Sequence, residues 1–245
     1  MSDVIESAFV RLAWAHKLIR DFDSEFRMFL SVSPYRLVPD VNEQARECVY
    51  RIKYKDPLPA RLSLIAGDAL HNLRSVLDGL FWALLQKYGV SDNISFPLRK
   101  TPEGFRESRI KLRRIGIPDR MLDSIEDLQP YNRGQILRTI HDLDIVNEHR
   151  AILVTANVPT EFNIECAIPF IWMICNGPAE DGATVARLRF IGKGKANLHT
   201  QFGFEVAFNE VGDAYGERVW HILMIAHDFI QDEVIPVFKP WLSSN

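Results

Sequence analysis

The chain has 245 residues, 47% of them hydrophobic, enough to bury a sizeable core as one domain or two small ones; a single α+β domain is the reading. A formal net charge of −3 excludes any global pull toward nucleic acid or anionic membrane and leaves such binding to local patches. Cys48, Cys166 and Cys175 lack the spacing of a zinc or redox motif, the first residues carry no basic leader, and the apolar run Ala167 to Cys175 is interrupted by Pro169. No metal, no cofactor, no membrane span and a cytoplasmic location are therefore expected.

In chain order, Ala8, Leu12, Ala15, Ile19, Phe22, Phe26 and Phe29 recur at spacings of three and four, which predicts a long first helix with Ser2 as its cap. Tyr35 to Val38 and the alternating Cys48, Tyr50, Ile52 and Tyr54 predict a half-buried hairpin near 35–54. Pro57 and Pro59 precede a second long helix, Arg61 to Tyr88, ended by Gly89. Further helices are expected over Glu103 to Ile115, Pro118 to Leu128, and Gly134 to His149.

After Arg150 the text turns to alternation and β-branching. Ile152 to Val158, Asn163 to Cys175, Thr184 to Ile191 and Phe202 to Phe208 predict a four-stranded antiparallel meander. A last helix is expected from Tyr215 to about Val234, stopped by Pro236 and Pro240. The expected plan is thus a helical bundle with a short β-hairpin insert over 1–150, then a sheet and a C-terminal helix over 151–245.

The chain has no P-loop, no G-x-G-x-x-G after a strand, no G-x-S-x-G and no H-E-x-x-H. Gly192-Lys193-Gly194-Lys195 lacks the spacing of a phosphate loop and reads as a hairpin turn. Arg99 to Arg114 holds seven basic residues against Glu103 and Glu107, a patch that could follow a phosphate backbone. Asp119, Asp123, Glu126 and Asp127 lie just downstream to balance it, and Phe105 alone does not supply the interleaved aromatics of base stacking.

The text Gly67-Asp68-Ala69-Leu70-His71-Asn72-Leu73-Arg74-Ser75 is followed by Leu77-Asp78, Phe96-Pro97, Leu128-Gln129-Pro130-Tyr131 and Asn147-Glu148-His149-Arg150. Over roughly residues 5–155 this resembles a group of bacterial proteins, widespread in actinobacteria and without an assigned activity, that read G-D-A-L-H-N-L-R-S-x-L-D-H-L and N-x-x-K-H-R. Gly79 stands where that group has His, and Glu148 where it has Lys. The resemblance implies positions for a site but no chemistry. A looser resemblance is to the HEPN superfamily of RNA-binding and metal-independent RNA-cleaving proteins of stress and phage defence, through R-x(4-6)-H. Arg11 and His16 have that spacing, in a different helix from the family's motif.

On the second helix His71, Arg74 and Asp78 flank the stripe Leu70, Leu73, Leu77, Phe81 and Leu84, within about 60° of one another. On the Gly134–His149 helix, Asp144 and Asn147 intrude on the stripe Ile136, Ile140 and Leu143. A buried charge needs a partner, so Arg74 is expected to pair with Asp144, and Asp78 with Arg150, in one cluster of His71, Arg74, Asp78, Asp144, Asn147, His149 and Arg150. Three functions are compatible with it. The first is a non-enzymatic scaffold or interaction protein, with the cluster as an interhelix clamp. The second is a HEPN-like RNA-binding or RNA-cleaving protein in which Arg74, His71 and His149 bind phosphate and move protons. The third is a metal-dependent hydrolase using Asp68, His71, His141, Asp144 or His149, although His141 and His149 fall about 80° apart on an ideal helix. Partner and oligomeric state stay open.

Overall fold

The computed structural model describes residues 2–91, 94–150, 152, 154–166, 168–175, 181–192, 198–210 and 212–243. The fold is α+β, with antiparallel sheets and a C-terminal helix. Contacts divide it into two compact units. One holds residues 1–22, 64–152 and 220–245, and the other residues 23–63 and 153–219. This grouping departs from the expected change of texture at residue 150, because the hairpin belongs with the later strands.

The helices follow their apolar periodicity. α1 runs Ser2–Ser31, and all seven residues of its expected stripe are buried. α2 runs Ala60–Lys87 with Leu70, Leu73, Leu77, Phe81 and Leu84 fully buried, and Gly89 leaves it with a left-handed φ of 76°. α3, Pro102–Ile115, is capped by Thr101, whose hydroxyl accepts the Gly104 N–H, and closed by Gly116 at φ 99°. α4 spans Asp119–Asp127 and α5 spans Gln135–His149. In α5 the buried stripe is rotated from the expected one: Leu137, Ile140 and Leu143 are buried, and Ile136 is half-buried.

The C-terminal helix corrects the sequence reading at both ends. It starts later, as α6, Val219–Phe229, since Gly216 holds a left-handed φ of 76° that no helix continues through. It then passes through Pro236 and Pro240 as α7, Ile235–Leu242. A π-helical stretch, Ile230–Val234, makes this possible: the Ile235 N–H donates to the Ile230 carbonyl, five residues back, so the ladder is re-registered just before the residue that lacks an N–H. Among the described residues no helix is long and apolar enough to cross a membrane.

The strands are β1 (Tyr35–Asn42), β2 (Glu47–Tyr54), β3 (Val154–Cys166), β4 (Phe170–Ile174), β5 (Thr184–Phe190) and β6 (Leu198–Phe208). A four-stranded antiparallel sheet is present, but in the order β1-β2-β5-β4, while β3 and β6 pair with each other. The expected meander of four consecutive strands is therefore not formed. Two of those expected strands, Ile152 to Val158 and the start of Asn163 to Cys175, are one strand, β3; Ile168-Pro169 separates it from β4. β5 sits beside the hairpin with Cys48 opposite Leu188, because Cys48, Tyr50 and Ile52 of β2 and Val185, Ala186, Leu188 and Phe190 of β5 share one apolar cluster. The expected turn at Lys193-Gly194-Lys195 lies outside the described residues.

Candidate functional site

The candidate cluster lies in the helical unit, and α2 supplies its centre. Spacings of three and four put His71, Arg74 and Asp78 on one flank of α2. Arg74 is only 5% exposed. Its Nη2 lies 2.9 Å from Asp78 Oδ1 and donates to the Phe96 carbonyl at 3.1 Å. Asp78 Oδ1 in turn accepts the Phe96 N–H at 2.7 Å. Both backbone groups of Phe96 are thus held by two α2 side chains one turn apart. The reason is local: Phe96 belongs to neither helix nor strand, Pro97 keeps it extended, and its buried N–H and C=O need partners from elsewhere.

Gln129 makes a second tie to the same connector. Its fully buried amide accepts the Arg99 N–H at 2.9 Å and donates to the Ile125 carbonyl at 3.0 Å. Gly134 allows the chain to turn back here, since a Cβ at that position would stand 1.9 Å from the Leu128 carbonyl oxygen.

α5 runs antiparallel beside α2. A Cβ on Gly67 would stand 2.1 Å from Asn147 Oδ1, and one turn further along α2 the His71 Nδ1 lies 3.3 Å from Asp144 Oδ1. That second contact is within ion-pair reach but off the hydrogen-bonding line, so buried Asp144 Oδ1 has no hydrogen-bond partner. The next step of the same ladder brings Arg74 and His141 to the wall of one cavity.

Burial shapes the electrostatics. It lowers the Arg74 pKa below the ordinary guanidinium value, against the pull of Asp78, Asp144 and Glu148. It raises that of Asp144, against His71 and Arg74. His141 is lowered by burial and then by the nearby Arg74 charge.

The structure brings His71, Arg74, Asp78, Asp144 and Asn147 together along the α2–α5 seam. His149 and Arg150 are exposed at the end of α5, where the Arg150 N–H closes the helix on the Val146 carbonyl. The expected Arg74–Asp144 pair is corrected: Arg74 pairs with Asp78, already one turn away on its own helix, and Asp144 faces His71. Among the described residues no three His, Cys, Asp or Glu side chains converge to hold a metal ion. Arg11 is exposed, and His16 stacks on His227 with ring centroids 4.9 Å apart.

In the basic segment, Arg109 contacts Asp123, Glu126 and Asp119, and Arg113 contacts Asp119, so the downstream acids balance these two arginines. Asp127 pairs with Arg133 instead. Sequence reasoning missed the Phe96 main chain, Gln129, Gly67 and Gly134. The signal was present in Phe96-Pro97, an extended dipeptide whose backbone groups demand partners. Comparison of the chain with protein-family models, with curated proteins and with solved structures finds no match.

Proposed function

We propose that this protein is a non-enzymatic helical scaffold or interaction protein of the bacterial group whose motifs it resembles. The observation that carries the reading is the double tie of Phe96. Arg74 and Asp78, the most reactive-looking pair in the motif text, spend their contacts on one residue's N–H and C=O and on each other. A guanidinium and a carboxylate committed in this way hold a connector in place and are poorly disposed to move protons. The other motif residues fit the same role: Gln129 ties Arg99, and Gly67 admits Asn147. Three free thiols suit a reducing cytoplasm.

The test is incubation of the purified chain with labelled RNA in EDTA, with elemental analysis of a separate sample purified without chelator. Intact RNA and no bound metal are expected. RNA cleavage in EDTA that Arg74→Lys abolishes would replace the scaffold by a HEPN-like nuclease, and stoichiometric metal would replace it by a hydrolase.

A further inference from the structure

A cavity of about 450 Å³ opens in the helical unit between the connector 94–99, α3, and the facing residues Arg74 and Phe81 of α2 and His141 of α5. That volume is within the range of small-molecule sites. Its apolar wall includes Phe81, Phe96, Pro97 and Leu112, all buried. Its polar lining is one-sided: Arg74, Arg99, Lys111 and His141 face it, and among the described residues no acidic side chain does. Among the described residues no carboxylate lies within ion-pair distance of Arg99 or Lys111, both of which are exposed at the rim. Arg99 Nε donates to buried Ser108 Oγ at 3.2 Å, which holds its stem against the cavity wall.

The decisive atom is Arg74 Nη1. The Phe96 clamp uses Nη2, while Nη1 is buried and has no hydrogen-bond partner among the described residues. Buried donors are almost always satisfied, and an unsatisfied guanidinium nitrogen is among the most costly exceptions. A water would accept the hydrogen bonds of Nη1 but would leave the two rim cations and the apolar wall without a role. We propose that this cavity binds a small organic anion, with an anionic oxygen on Arg74 Nη1 under the field of Arg99 and Lys111 and an apolar body against Phe81, Phe96 and Leu112. A carboxylate and a phosphate monoester share this chemistry. The site uses the nitrogen that the clamp leaves over, so it stands whether or not the protein is a scaffold.

Calorimetric titration of the full chain with octanoate, octyl phosphate and the uncharged octanamide tests it. At least one anion is expected to saturate with a Kd below about 1 mM, and octanamide to bind at least about tenfold more weakly. Whichever anion binds more tightly identifies the head group. Lys111→Glu, at an exposed position outside the clamp, should weaken the anion by about tenfold and leave the melting temperature unchanged. Arg74→Lys, which keeps a cation for Asp78 but removes the orphan nitrogen, should weaken it as well. Saturation by neither anion, equal affinity for octanamide, or an unaltered Kd in folded Lys111→Glu would overturn the site. None of those results would touch the clamp, which is read by stability alone.

Discussion

Arg74 and Arg109 show two uses of the same chemistry in one helical unit. Arg109, on α3, lies 2.5 Å from Asp123, 2.7 Å from Glu126 and 3.5 Å from Asp119. Water reaches those carboxylates, and the hydrogen bond that Arg109 donates to Asp123 leads the effects that raise the Arg109 pKa. Among the described residues Arg74 has one carboxylate within ion-pair distance, Asp78, and burial lowers its pKa. The surface network therefore follows its charges, adding opposite signs until the field is balanced. The buried pair follows the backbone: it persists because Phe96 has an N–H and a C=O that nothing else satisfies. Counting ion pairs would rank the Arg109 network first, whereas desolvation ranks Arg74 first.

The largest effect expected from breaking this contrast is at Asp78. Asp78→Ala strands a buried guanidinium and removes the acceptor of the Phe96 N–H, so a loss of about 3 kcal/mol, or roughly 6–12 °C in Tm for a chain of this size, is expected by urea and thermal unfolding. The double variant Arg74→Leu/Asp78→Leu sharpens the point. Replacing an ordinary buried pair by apolar side chains is often neutral, but here both Phe96 backbone groups would stay unsatisfied, so the double variant should remain at least about 2 kcal/mol below the parent. Recovery to parental stability would show that the pair is not a tie to Phe96.

Much of the helical unit was legible because helix periodicity is local. The α1 and α2 stripes are buried as their spacings require, and Asp144 intrudes on the α5 core as its position implies. The sheet was not legible, because alternation tells which face of a strand is buried but not which strand lies beside it. Cys48 meets Leu188 across 140 residues, and no local signal in either segment names the other. At the site the pairing was not legible from residue types. Charge alone matches Arg74 to Asp144 on the facing helix, whereas Asp78 one turn away needs no tertiary packing to reach it. Phe96 contributes only main chain, which residue-type reasoning passes over unless Pro97 is read as a demand for backbone partners.

Asp144 gives a smaller effect with a definite pH signature. Burial raises its folded pKa above that of the unfolded chain. Between the two values the folded state binds more protons than the unfolded state, so the contribution of Asp144 to stability is most favourable below the ordinary carboxylate range and falls as pH rises through the window up to the raised folded pKa. Above that raised value the full penalty applies. Asp144→Asn should therefore be more stable than the parent at pH 7, and the two should converge as the pH is lowered below about 4. Its exposed partner His71 gives up little. Urea unfolding of both proteins from about pH 3 to 8 isolates the His71–Asp144 pair, since titrations away from it are shared. A deficit for Asp144→Asn at pH 7 would mean that Arg74 depends on the Asp144 charge more than burial opposes it.

The smallest effect belongs to the surface side of the comparison. Arg113 Nε lies 2.9 Å from Asp119 Oδ1, and both side chains are more than half exposed. The hydrogen bond from Arg113 is the main cause of the lowered Asp119 pKa, so this pair favours the fold above the ordinary carboxylate range and loses that contribution as pH falls through the lowered value. Exposed pairs hold two long side chains in one geometry and give back most of the Coulomb gain as lost entropy. Arg113→Gln should accordingly shift Tm by no more than about 2 °C at neutral pH and low salt. The shift should vanish in about 1 M salt, where the Debye length falls to about 3 Å, and should vanish again under acid. Asp78→Ala should keep nearly all of its deficit in the same salt, because its penalty comes from desolvation and from unsatisfied hydrogen bonds at Phe96 that ions cannot reach. If salt erased both effects alike, Arg74 would be a surface cation and burial would not distinguish the two regions.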